Sequence, residues 1–64
     1  ELIGLEVWTV KQIYLGNIVE ILKSPANDVY VVRHEAGAET LIPAVTGTVL
    51  DVNIGSNKML VEYI

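Results

Sequence analysis

The chain has 64 residues, no cysteine, and eight acidic against four basic side chains, for a net charge of −4. It has room for one small domain, with no disulfide or thiolate metal site to staple it, so an aliphatic core must hold the fold. Val, Ile and Leu supply 24 positions, and the acidic excess argues against gripping a phosphate backbone, which needs Lys and Arg to displace counterions.

The dominant period along the chain is two, and seventeen Val or Ile residues suit a pleated sheet. A first apolar run, Leu5 to Val10, is separated by Lys11-Gln12 from a second, Tyr14 to Leu22. Leu5 and Val7 alternate with Glu6 and Trp8, which places Trp8 near solvent on the face of a carboxylate. In the second run Ile18, Val19, Ile21 and Leu22 flank Glu20 and break the alternation. That requires either a β-bulge or a strand covered on both faces.

Ser24-Pro25-Ala26-Asn27 is a turn cluster, in which Pro25 fixes its own φ and Asn27 can bond back to the backbone. Asp28 to Arg33 follows as a third strand. Its unbroken run Val29-Tyr30-Val31-Val32 reads as buried on both sides, so a neighbour covering part of the outer surface is expected. His34 to Ala38 forms a loop, and Glu39 to Ile42 a fourth strand that Pro43 ends or places at an edge. Ala44 to Gly47 has room for a single turn. Thr48 to Asn53 and Lys58 to Tyr63 make a final hairpin around Ile54-Gly55-Ser56-Asn57. Six short strands at this spacing predict an all-β fold: a small six-stranded antiparallel sheet closed into a β-barrel.

The chemistry on offer is thin. The only imidazole is His34, and the nearest hydroxyls, Ser24 and Thr40, sit in no nucleophile motif. His34, Glu35 and Glu39 could be drawn as a metal site, but three such residues in one polar loop read as a solvated surface. No glycine belongs to a phosphate-cradling motif; Gly16, Gly37 and Gly55 suit bulges or turns. The expectation is a domain that is not an enzyme and takes no cofactor or metal. The longest uncharged run, Thr40 to Leu50, contains Pro43 and Gly47 and is far short of the roughly 20 apolar residues of a membrane span. No basic start leads into an apolar stretch. With Glu1 in place of an initiator methionine, the chain is expected to be a piece of something longer.

Binding features carry more weight. Trp8, Tyr14, Tyr30 and Tyr63 are the aromatics, residue types that combine apolar area with a polar handle. Trp8, Tyr14 and Tyr30, with the lone arginine Arg33, are the candidates for partner contact. For Tyr30 and Tyr63 the competing reading is packing in the barrel wall; for Arg33 it is a surface ion pair with Glu35 or Glu39. Lys11, Lys23, Arg33 and Lys58 are scattered instead of interleaved with aromatics, so no nucleic-acid face emerges. An acidic domain suits a basic protein better.

Several segments carry a resemblance: Glu1-Leu2-Ile3-Gly4-Leu5-Glu6-Val7, Leu15-Gly16, Ala26-Asn27-Asp28-Val29-Tyr30-Val31-Val32-Arg33, and Leu41-Ile42-Pro43-Ala44-Val45. In this order they resemble the PRC-barrel domain and, more narrowly, the C-terminal domain of the RimM family of ribosome maturation factors. The resemblance covers nearly the whole chain. It implies that residues 1–64 are one PRC-barrel domain, the C-terminal part of a two-domain cytoplasmic protein whose other domain is an N-terminal barrel. It further implies a role in late small-subunit assembly and rRNA processing. The partner would be a basic ribosomal protein of the small-subunit head, with rRNA met by the other domain and no membrane involved. The aromatic pair that the family carries before its first strand would lie upstream of Glu1. Asn27 and Asp28 read physically as a bonded turn, and Leu41-Ile42-Pro43 as the end of a buried strand. The alternative is a PRC-barrel of another kind, such as a reaction-centre-subunit or free-standing type, which what precedes residue 1 would distinguish.

Overall fold

A computed structural model describes residues 2–63. Six strands form where the alternation and the turn residues place them: β1 (Glu6–Thr9), β2 (Tyr14–Leu22), β3 (Val29–Arg33), β4 (Glu39–Pro43), β5 (Val49–Asn53) and β6 (Lys58–Val61). Among the described residues there is no helix, hence none long and apolar enough to cross a membrane. After Pro43 the chain makes a single turn in which the Val45 carbonyl accepts from the Thr48 and Val49 amides. Before β3, Ser24 Oγ accepts from the Ala26 amide, and Asn27 Nδ2 donates to the Asp28 carbonyl. Lys23 Nζ lies 3.0 Å from Asp28 Oδ2 across the same turn.

The strands join in one sheet of order β4-β3-β2-β1-β6-β5. This corrects the sequence-based expectation in two respects. The pairing is not antiparallel throughout, because β1 and β6 run parallel. Nor do hydrogen bonds close the sheet: among the described residues β4 and β5 remain its two edges. Alternation reports which face a residue takes and is silent on strand direction. A parallel pair needs a long crossover, and here nearly the whole chain between β1 and β6 supplies it. The sheet still wraps its core. Neighbouring strands rotate by about 20–25° each, which over five junctions turns one edge roughly crosswise to the other. The near-equal extents of 29 × 25 × 23 Å show that the sheet is curled.

Leu5, Val7, Ile18, Val32, Ile42, Met59 and Val61 fill the interior, each almost fully removed from solvent. At about 1.5–3 kcal/mol for each side chain, this cluster is the main favourable term. Leu2, Leu15, Ile21, Tyr30 and Val49 pack around its margin. The side-chain period slips at three places. Leu15 and Val19 are extra residues on β2, opposite Val7/Trp8 and Val32/Val31, and Leu50 is extra on β5 opposite Val61/Leu60. The bulge at Val19 accounts for the broken alternation around Glu20. Two-sided burial holds at the centre of β3, where Val31 and Val32 face opposite ways and are 6% and 0% exposed.

Gly16 sits beside the first bulge with φ +136, where β2 passes unusually close to the end of β3. A Cβ there would overlap the Arg33 carbonyl and stand 2.7 Å from the His34 amide nitrogen. Gly37, in the loop after β3, also has positive φ (+103) but has open space where a Cβ would go. The two glycines therefore separate backbone strain from steric overlap. Gly37→Ala is expected to cost about 1–2 kcal/mol, and Gly16→Ala about 3 kcal/mol or more. Urea unfolding of the two variants checks this; equal shifts in midpoint would show that close approach does not govern Gly16.

Candidate functional site

The outer face of the sheet is assembled around β1. Val7 and Thr9 point into the core, so Glu6 and Trp8 point out. The parallel register of β6 sets Lys58 opposite Glu6 and Leu60 opposite Trp8. On the other side, β2 sets Asn17 opposite Glu6 and Tyr14 opposite Trp8. Continuing outward, Arg33 faces Asn17, Glu39 faces Arg33, Asn53 faces Lys58 and Asp51 faces Leu60. The result is a polar row, Asn53–Lys58–Glu6–Asn17–Arg33–Glu39, that crosses all six strands. Beside it runs a shorter row, Asp51–Leu60–Trp8–Tyr14.

Trp8 is half-buried at the centre of this surface. Its indole Nε1 donates to Glu6 Oε1 at 3.1 Å, which fixes the ring's orientation. The Tyr14 ring lies 5.2 Å away, tilted by 46°, and the His34 ring lies 5.4 Å beyond Tyr14. These are tilted aromatic contacts of the favourable kind. The Tyr14 hydroxyl donates to Asn17 Oδ1. Asn17 Nδ2 in turn donates to the Gly4 carbonyl at 2.9 Å, which also accepts from Asn57 Nδ2 at 3.3 Å. Lys58 Nζ stands 5.3 Å from the Trp8 ring centroid, within cation–π range. Thr9, buried beneath the face, accepts from the Lys11 and Ile13 amides through Oγ1 and so shapes the hairpin that carries Tyr14.

Of the four side chains singled out in the sequence, Trp8, Tyr14 and Arg33 share this face. Arg33 is engaged there: its Nε and Nη2 donate to Glu39 Oε2 at 2.8 and 2.5 Å. As a solvent-exposed pair this contributes at most about 1 kcal/mol. Tyr30 does not join them. It pairs with Ile21 and Ile42 and packs at the margin of the core on the inner face. His34 accepts from the Ala36 amide through Nδ1 at 3.0 Å, which shapes its own loop. Among the described residues no group of three His, Asp or Glu side chains is placed to hold a metal.

Sequence reading missed Lys58, Leu60 and Asp51 as neighbours of Trp8. Their outward facing is legible from the alternation about Met59; their proximity to β1 depends on the parallel pairing, which no local signal announces. Two shallow grooves result. One, of about 210 Å³, lies between Trp8 and Asp51 over Leu60 and Met59. The other, of about 290 Å³, lies between Trp8 and the β1–β2 hairpin at Thr9 and Gln12.

Burial on this face, and after it the negative charges of Glu6 and Glu35, raise the Tyr14 phenol above its ordinary 10.0. The folded chain therefore holds this proton more tightly than the unfolded chain does. The stabilisation is fully present below pH 10 and is lost as pH rises through the higher folded value. A spectrophotometric titration should show a phenolate component that ionises at higher pH than a free tyrosine, and Tyr14→Phe should remove that component. An unchanged curve in the variant would contradict the assignment.

Comparison with known proteins places this surface in context. A ribosome maturation factor RimM from Desulforamulus reducens is 39% identical over 64 residues, covering all of this chain and 38% of that protein. Another from Thermosipho melanesiensis is 40% identical over 62 residues, 97% of this chain and 35% of its own. The chain thus spans less than two-fifths of the length of these relatives. A crystal structure of a candidate 16S ribosomal RNA processing protein, RimM, from Pseudomonas aeruginosa superposes with a TM-score of 0.93 at 34% identity. The superposition covers 98% of this chain and 41% of that one. Residues 1–63 match the RimM PRC barrel domain, and the chain belongs to that family.

Proposed function

We propose that this domain is a non-catalytic, protein-binding module of a cytoplasmic ribosome maturation factor. Its partner on this reading is a basic protein of the small-subunit head, held during small-subunit maturation and rRNA processing. The observation that carries the reading is the Trp8–Tyr14 pair, half-buried and presented outward by a chain of net charge −4. Aromatic side chains in such settings supply most of an interface's affinity, and opposite charge speeds encounter. The names of the relatives and the end-to-end match of the barrel supply the ribosomal context. Arg33, tied to Glu39, borders the contact, while Tyr30 supports β3 from within.

The opposite flank of the sheet fits a different neighbour. Around the buried Val31, the exposed side chains Leu22 and Leu41, with Val19 at the bulge, give the outer side of β2–β4 an apolar character interrupted by Glu20, which pairs with Val31. We assign this flank to an N-terminal barrel of the same protein, which would leave rRNA to that domain and the Trp8 face to the basic partner. Four dispersed basic residues give this domain no phosphate-binding row of its own.

Calorimetric titration of the chain with the basic head protein, at low and moderate salt, tests the reading. Micromolar binding that weakens as salt rises is expected. Trp8→Ala should lower affinity about tenfold or more. Absence of heat from a chain shown by circular dichroism to be folded would overturn it.

A further inference from the structure

We propose that the groove between Trp8 and Asp51 is a receptor for an arginine side chain, occupied in the free domain by the chain's own Lys58. The source of that arginine, a basic partner protein, rests on the function proposed above. The geometry of the groove is independent of it.

Three features point to a planar cation. The first is the Trp8 ring, whose edge is tied to Glu6 so that its orientation is set before any partner arrives. The second is that a cation already sits over it: Lys58 Nζ lies 5.3 Å from the ring centroid, although β6 sets Lys58 opposite Glu6 and not Trp8. Among the described residues Lys58 makes no ion pair, so its ammonium lies over the ring without a direct carboxylate contact. The third is the far wall. Asp51, brought alongside by the β5–β6 pairing, lines the groove and makes no ion pair among the described residues. The neighbouring Asn53 Oδ1 already accepts from the Ser56 amide.

An indole face on one side and a free carboxylate on the other match a guanidinium better than an ammonium. A guanidinium is flat, weakly hydrated and forked: it stacks on the ring while its edge donates two hydrogen bonds to one carboxylate. Lys58 meets only the first requirement, making no ion pair among the described residues, and as a hydrated point charge on an exposed stem it is readily displaced. The outward-facing Leu60 at the floor would carry the arginine's methylenes. Lys58 thus keeps the ring face covered until a better cation takes it.

The test uses acetyl-Gly-Arg-Gly-amide as probe, with its lysine and citrulline counterparts, against the 64-residue chain followed by NMR. The arginine peptide should move the Trp8 indole N–H resonance saturably, the lysine peptide should bind more weakly, and the uncharged citrulline peptide should not bind. Asp51→Asn should weaken the arginine peptide. Lys58→Met, by removing the competitor, should tighten it about two- to fivefold. Lys23→Met, the same loss of charge on the turn before β3, should leave affinity within about a factor of 1.5. Equal binding of the arginine and lysine peptides, or a Lys58→Met variant that binds no tighter than Lys23→Met, overturns the proposal. Arginine capture without binding of the basic head protein overturns the proposed function and leaves the groove assignment standing. The reverse pattern overturns the groove assignment alone.

Discussion

The parallel pairing of β1 with β6 is the junction on which the rest of the structure depends. Without it the sheet falls into two pieces, a four-stranded meander and a lone hairpin, and a lone hairpin is marginal in water. With it, Met59 and Val61 from the hairpin join Val7, Ile18, Val32 and Ile42 in one interior. The same register carries Lys58 and Leu60 to Glu6 and Trp8, so core and candidate site are two faces of one set of hydrogen bonds. The N-terminal segment reinforces the junction: the Glu6 amide donates to the Asn57 carbonyl at 2.9 Å, and the Asn57 side chain reaches back to Gly4.

Much of this was legible residue by residue. Alternation about Glu6 and Trp8, and about Met59, gives the facing of β1 and β6. Pro43, Gly37 and the Ser24–Asn27 cluster give the punctuation, because each removes a donor, opens positive φ or bonds back to the backbone. The irregular run around Glu20 correctly signalled a bulge or a doubly covered strand, and the structure holds the bulge on β2 next to a doubly covered β3. Strand order and direction were not legible, since a period of two is the same for parallel and antiparallel neighbours. For the same reason Trp8 could be named as an exposed aromatic while its surroundings could not. Tyr30 shows the converse limit: in an unbroken apolar strand, composition gives no facing, and the inner position follows only from pairing with Ile21 and Ile42.

The two outer flanks divide the chemistry of the surface. Around Trp8 the exposed groups are mixed aromatic and charged, with polar atoms tied to one another: indole to Glu6, phenol to Asn17, Asn17 to Gly4. Such a surface is ordered before contact, so little side-chain freedom is left to lose when a partner arrives. Around Val31 the exposed groups are aliphatic apart from Glu20, and among the described residues no side-chain hydrogen bond ties them together. The first suits a contact that must form and dissolve; the second suits a standing neighbour.

The distance in sequence between β1 and β6 has a consequence for synthesis. Glu6 meets Lys58, so the first strand of this domain to leave a ribosome lacks one of its two neighbours until nearly the entire domain has been made. Until then β1 can pair only with β2, and the growing chain displays an open sheet edge beside an unfinished core. Ordering of this domain is thus coupled to synthesis of its last strand, and long-range pairing of this kind is slow compared with forming a local hairpin.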